Sequence, residues 1–270
     1  MSHSIAFIGG GQMAGALIGG LIKRGTLAAD IAVVEPFAGA RDELLARYGV
    51  QAQAAPGPFL QACALVVWAV KPQTFKDAAA ATQSHTPQAL HLSVAAGIRS
   101  DTLAQWLHSE RIVRAMPNTP ALIAQGISGL FARKGVSDAD KARVAQVLES
   151  TGQTLWLQDE AQIDAVTALS GSGPAYVFYF LEAMRDAGVA MGLTPAQAYQ
   201  LALATFSGAT ALAAASADAP EMLRQRVTSK GGTTFAALTS MEADGVKASF
   251  IAAMQAARQR GQELGDEFGA

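Results

Sequence analysis

Three small residues, Gly9, Gly11 and Ala14, fall at Gly-x-Gly-x-x-Ala spacing in the run Ile8-Gly-Gly-Gly-Gln-Met-Ala14. Set directly after a strand-forming stretch and before a helical one, that spacing suits a dinucleotide. Gly9 permits the sharp turn, Gly11 lets a pyrophosphate approach the backbone, and Ala14 lets the helix lie close on a sheet. The free N–H groups of the first helical turn, with the helix dipole behind them, then face the phosphates. Ala69-Val-Lys-Pro-Gln73 ends another apolar run, where open α/β sheets bind their ligands. Pro72 stiffens that turn, and Lys71 either reaches a phosphate or simply ends the strand. Ser93-Val-Ala-Ala-Gly-Ile98 offers small residues on which a flat nicotinamide or its ribose can lie, and Met116-Pro-Asn-Thr-Pro120 holds Asn118 and Thr119 in a rigid polar loop.

Two later stretches, Ser170-Gly-Ser-Gly-Pro-Ala-Tyr176 and Val227-Thr-Ser-Lys-Gly-Gly-Thr-Thr234, are small-residue loops that feed helices. The second has consecutive glycines before a helix start, which expose unpaired N–H groups to a carboxylate. Its order is wrong for a phosphate-binding P-loop, and as a bare pattern either stretch also reads as a helix cap. The four histidines, His3, His85, His91 and His108, lie outside these loops and read as exposed or incidental. No acidic or Cys/His cluster has metal-ligand spacing. Reduction of a ketone asks for a strong general acid beside the reacting oxygen, whereas these loops offer Thr, Ser, Asn and two lysines. That set suits reduction of a C=N bond whose nitrogen arrives protonated, so that orientation and one hydrogen bond suffice.

The elements that must position these loops follow from periodicity. Ser4 to Ile8, Ile31 to Glu35, Leu65 to Val70, Leu90 to Val94, Ile112 to Met116 and Ile127 to Phe131 read as strands. Helical stretches follow Gly11 and cover Arg41 to Tyr48, Thr74 to Thr82, Ser100 to Leu107 and Asp138 to Ser150. Strand and helix in turn argue for a Rossmann-type, doubly wound parallel sheet. Beyond Thr154-Leu-Trp-Leu157 the strand signal stops. Glu160 to Ala168, Pro174 to Met191, Pro195 to Ala217, Pro220 to Arg226 and Thr234 to Glu267, with a break near Gly245, all read as helix. The expected division is therefore residues 1–159 as an NAD(P)-binding domain and 160–270 as an all-α domain, rich enough in Ala and Gly to pack on a second copy of itself. A chain of 270 residues permits this, and a net charge of −2 argues against nucleic acid and anionic membrane surfaces as partners. One cysteine, Cys63, excludes an intrachain disulfide; with no secretory or transmembrane pattern, a cytoplasmic protein is expected.

With the loops assembled, the chain resembles the pyrroline-5-carboxylate reductase family over nearly its whole length. Ile8 to Ala14, Ala69 to Gln73, Ala95-Ala-Gly97, Met116 to Pro120, Ser170 to Tyr176 and Val227 to Thr234 stand in the family's order and spacing. The resemblance implies that NADPH or NADH delivers hydride to the ring C=N of L-1-pyrroline-5-carboxylate, giving L-proline. It implies an active site between a nucleotide domain and a helical domain that interlocks with a partner subunit, in dimers that often assemble into decamers. Carried onto this chain, Ile8, Gly9, Gly10, Gly11, Gln12, Met13, Ala69, Val70, Lys71, Pro72, Ala95, Ala96 and Gly97 would hold the cofactor, with Asn118 beside them. Ser229, Gly231, Gly232 and Thr233 would bind the substrate carboxylate, and Thr234 would meet the ring nitrogen. Lys230 is more of a structural or charge-steering residue, because the family accepts proline there.

One departure concerns cofactor choice. Glu35-Pro36-Phe37 stands where many members carry a small polar residue, often followed by a basic one. A carboxylate ending the second strand commonly bonds the ribose hydroxyls of NAD and repels a 2′-phosphate, so NADH is expected to serve at least as well as NADPH unless Arg41 compensates. The alternatives are another imine or β-hydroxyacid reductase of the same plan, and a non-catalytic nucleotide sensor.

Overall fold

The computed structural model describes residues 5–269, so Ser4 and His3 lie outside the described residues. The eight-stranded sheet has the order β3-β2-β1-β4-β5-β6-β7-β8. Its strands are β1 (Ile5–Ile8), β2 (Ile31–Val34), β3 (Ala52–Gln53), β4 (Leu65–Trp68), β5 (Leu90–Ser93), β6 (Ile112–Met116), β7 (Gly126–Ala132) and β8 (Gly152–Trp156). The first four long strands are buried along their whole length, because both faces of the sheet are covered. Alternate residues feed opposite layers. Ile5, Phe7, Val33 and Val67 face a core completed by Leu17 and Ile18 of α1 (Gln12–Lys23), Leu44 of α2 (Ala38–Tyr48) and Val144 and Leu148. Ala6, Ile8, Val66 and Trp68 face a second core, completed by Phe75 of α3 (Pro72–Thr82) and Leu103 of α4 (Ser100–Leu107).

The parallel pattern breaks once. Strand β7 pairs antiparallel with β6, and β8 then runs parallel to β7. Only a short 3-10 turn, Thr119–Ile123, connects β6 to β7, which is too little chain for the helical crossover a parallel pair requires. The helix α5 (Asp138–Leu148) supplies that crossover between β7 and β8.

Beyond β8 the described chain is helical: α6 (Gln162–Val166), a π-helical turn at Thr167–Gly171, α7 (Gly173–Ala190), α8 (Pro195–Ala214), α9 (Pro220–Arg226), α10 (Thr233–Ala243) and α11 (Val246–Gly269). The chain divides into two compact units, residues 1–172 with 257–270, and residues 173–256. These limits differ from a division at residue 160, for two reasons of packing. Glu160 is held against the sheet unit by the N–H of Ser100 at 2.6 Å and by the buried Arg114 of β6, which keeps α6 in that unit. The tail of α11 also returns to it, where Asp266 pairs with Arg99 at 2.6 Å. In the second unit Leu181, Ala198 and Ala202 are buried, while Phe178, Tyr179, Leu201 and Leu212 are 57%, 70%, 57% and 73% exposed. So much apolar surface on one small helical unit marks an interaction face.

His91 is not incidental. It lies on β5 at 1% exposure and accepts a hydrogen bond on Nδ1 from Trp68 Nε1 at 3.1 Å. Burial, reinforced by the charge of Arg111, pushes its pKa down to about 4. The unfolded chain takes up that proton near pH 6.5 and the folded chain only near 4, so stability falls as pH drops through this window. The expected loss is about 3 kcal/mol between pH 7.5 and pH 4. Urea unfolding across that range should show it, and His91→Gln should flatten the dependence at equal protein concentration.

Candidate active site

The strand register places the predicted nucleotide residues at one edge of the sheet. Ile8 lies opposite both Val34 and Trp68, and Trp68 opposite Ser93, so the segments starting at Gly9, Glu35, Ala69 and Val94 all leave the carboxyl ends of neighbouring strands. Between β1 and β4 the strand order reverses, which is where ligands of open α/β sheets bind. Gly9 sits at that reversal with φ +95°, and a Cβ there would lie 2.7 Å from the carbonyl oxygen of Ala69. Its N–H donates to the Val34 carbonyl at 2.8 Å, while the Ala69 N–H donates to that of Ile8 at 2.8 Å. The turn is therefore bolted to β2 and β4 together.

Gly11 behaves differently. It is exposed, its φ is an ordinary −72°, and a Cβ there would meet no atom within 4 Å. Nothing in the chain itself requires glycine at this position. Its open side leaves room for a group approaching from outside. Gly11 caps α1 with no side chain closing the first turn, and Gly10, Gly11 and Gln12 are among the residues lining a groove of about 700 Å³ that follows α1. By contrast α5 and α8 start on full capping boxes, Ser137 with Asp140 and Thr194 with Gln197.

Lys71 and Pro72 form the start of α3, with the exposed Lys71 as its N-cap and the half-buried Pro72 as its first residue. Gly97, at φ +76°, leaves no room for a side chain, since a Cβ would fall 2.9 Å from Leu264 Cβ of α11. The loop Ala95–Gly97 is thus backed by that helix, and the Ala95 N–H donates to Ser93 Oγ at 3.3 Å. Asn118 spends its Oδ1 on the Ile127 N–H at 3.0 Å, fixing the β6–β7 turn. Glu35 points inward: Oε2 accepts the Gly10 N–H at 2.7 Å and Oε1 the Phe37 N–H at 2.8 Å. Arg41 spends Nη1 on the carbonyls of Glu35 and Pro36, at 3.0 and 2.7 Å.

Met116, at the end of β6, meets the Ser170–Gly171 loop; a Cβ on Gly171 would lie 2.5 Å from Met116 Cε. Both stretches stand out in the amino-acid sequence, but no local pattern joins them. The π-helical turn at Thr167–Gly171, a feature often found at functional sites, left no sequence signal.

Ser229, Gly231, Gly232, Thr233 and Thr234 belong to the second unit and surround the start of α10. Gly231 has φ +76°, and Gly232 is the N-cap in extended conformation with no side-chain cap on the turn that follows. A Cβ on Gly232 would lie 2.6 Å from Ser229 Oγ and 3.2 Å from the Ser229 carbonyl oxygen, so the loop closes tightly around this position. Thr234, the second helical residue, is exposed, as is Lys230.

A pyrroline-5-carboxylate reductase of Pseudomonas aeruginosa is 45% identical over 267 residues, 98% of each chain. The chain belongs to the pyrroline-5-carboxylate reductase family. Residues 160–264 match the family profile described as pyrroline-5-carboxylate reductase dimerisation, and residues 4–97 the one described as NADP oxidoreductase, coenzyme F420-dependent. The solved pyrroline-5-carboxylate reductase of Coxiella burnetii superposes with TM-score 0.91 at 35% identity, covering 98% of this chain and 99% of its own. The Plasmodium falciparum enzyme, solved with NADP bound, gives 0.87 at 28% identity, covering 97% and 98%. The sheet unit is accordingly an NAD(P)H-dependent oxidoreductase fold, and the chain forms homo-oligomers through its helical part.

Proposed function

We infer that the chain is a pyrroline-5-carboxylate reductase, which reduces L-1-pyrroline-5-carboxylate to L-proline with NADPH or NADH, the last step of proline synthesis. The observation that carries this reading is the 45% identity along 98% of both chains to a protein of that name. The cofactor supplies the hydride. Gly9 to Met13 would hold its pyrophosphate through the open first turn of α1, with Ala69 to Pro72 and Ala95 to Gly97 flanking it. The start of α10 would take the substrate carboxylate on the N–H groups around Gly231, Gly232 and Thr233, beside Ser229. Thr234 would hydrogen-bond the ring nitrogen, orienting the C=N bond or passing it a proton. An iminium nitrogen needs no stronger acid, in keeping with the absence of a histidine from these loops.

Adding pyrroline-5-carboxylate to the protein with NADH or NADPH should consume the reduced nucleotide, read as loss of its near-ultraviolet absorbance. No consumption with either nucleotide overturns the reading. The assembly we propose is a homodimer built on the exposed apolar faces of α7 and α8, able to associate further into a decamer, in the cytoplasm. Among the described residues no helix is long and apolar enough to cross a membrane. Sedimentation at micromolar concentration should give at least twice the 27.9 kDa chain mass, and a monomer would exclude this assembly.

A further inference from the structure

Glu35 lies at the end of β2, and every polar group it has is engaged by the chain itself. Its N–H donates to the Gln53 carbonyl at 2.8 Å and its carbonyl accepts from Arg41 Nη1 at 3.0 Å. Its two carboxylate oxygens take the N–H groups of Gly10 and Phe37. The residue is 6% exposed. Gly10 is pressed onto it, since a Cβ on Gly10 would lie 3.2 Å from both Cβ and Cγ of Glu35 and 2.7 Å from Leu44 Cδ1.

We propose that Glu35 is a positioning residue for the cofactor's phosphate-binding turn, stapling Gly10 to the entrance of α2, and not a ligand of the ribose. The proposal rests on the reading that this turn holds NAD(P)H. A carboxylate accepting two backbone N–H bonds makes strong, charge-assisted contacts that fix the plane of each peptide. Gly10 immediately precedes Gly11, whose open side is the one left for the pyrophosphate, so the orientation of the Gly10 peptide sets where the phosphate-facing groups begin. Phe37 immediately precedes α2, so the same carboxylate ties that helix to the turn.

The two roles open to Glu35 predict opposite patterns. NADH and NADPH share the pyrophosphate and differ at the 2′ position. Loss of a staple weakens both equally. Loss of a ribose ligand weakens NADH, and removing its charge relieves the repulsion of the 2′-phosphate and strengthens NADPH.

The experiment measures Kd for NADH and for NADPH by fluorescence titration of the wild type, Glu35→Gln and Glu35→Asp, with kcat at saturating cofactor and Tm for each. Glutamine keeps the shape but sets an NH2 against one of the two N–H donors; aspartate keeps the charge but is too short to reach both. We expect both Kd values to rise together by roughly tenfold in either variant, the effect of one lost hydrogen bond to a charged group, with kcat nearly unchanged. Opposite shifts for the two nucleotides, or no shift in either, overturn the proposal. If Glu35→Gln does not fold, Glu35→Asp decides alone: a parallel rise supports the staple, and an unchanged NADPH Kd overturns it. Wild type that binds neither nucleotide would instead remove the cofactor reading itself.

Discussion

Replacing Thr234 with Ala should lower kcat/KM for pyrroline-5-carboxylate by about 10²–10³-fold, the range for one positioned hydrogen-bonding or proton-transfer group. Thr234 stands at the second position of α10, behind the uncapped Gly232 and the left-handed Gly231, with its side chain exposed on the isolated chain. A hydroxyl there does no structural work that alanine would leave undone, because the first turn of α10 is not closed by any side chain. The loss should therefore appear in turnover with the melting temperature almost unchanged. Thr234→Ser keeps the hydroxyl and should recover most of the activity. Lys230→Ala should change kcat/KM by less than about tenfold, consistent with an exposed charge acting at a distance. Unchanged steady-state kinetics for Thr234→Ala would remove the residue from the mechanism.

The second large effect is expected at Gly9, and its contrast with Gly11 is the informative part. Alanine at Gly9 must adopt φ +95° and place Cβ 2.7 Å from the Ala69 carbonyl oxygen and 3.1 Å from Val70 Cγ1. The Gly9 and Ala69 backbones cannot separate cheaply, since the Gly9 N–H is committed to Val34 and the Ala69 N–H to Ile8. The backbone conformation costs about 1–2 kcal/mol and the overlap about 1–3 kcal/mol more. Gly9→Ala should accordingly lower stability by roughly 2–5 kcal/mol in urea unfolding and abolish measurable cofactor binding. Gly11→Ala puts its new methyl into open space at an unstrained φ, so stability should stay within about 0.5 kcal/mol. Its cost should fall on NADH and NADPH binding alone. Equal destabilisation by the two substitutions would contradict the division between a glycine the fold needs and a glycine the ligand needs.

Much of this protein could be read from local pattern. The apolar runs at Ile5, Ile31, Leu65 and Leu90, each followed by a helical stretch, specify strands covered on both faces, and the described structure has them there. Helix starts also rest on local chemistry, as where Thr194 and Pro195 open α8 on a capping box. The two-residue strand β3 was not, because Ala52-Gln53 carries no periodicity and exists only through pairing with Val33 and Val34. Nor was the reversal of β7, whose residues suit a strand of either direction.

The amino-acid sequence by itself determined the family, the order of the elements and the glycine turns, because spacing along the chain and backbone freedom at glycine are local properties. Only the tertiary structure decided which way the side chains at the strand ends face. Glu35 and Gly10 are 25 residues apart, and Trp68 and His91 are 23 apart. Sheet register brings each pair to bonding distance. That register set the Glu35 carboxylate against the N–H of Gly10, and made a histidine that reads as incidental in the sequence part of the core. Burial and hydrogen-bond partnership belong to the packed sheet, and no window of neighbouring residues contains them.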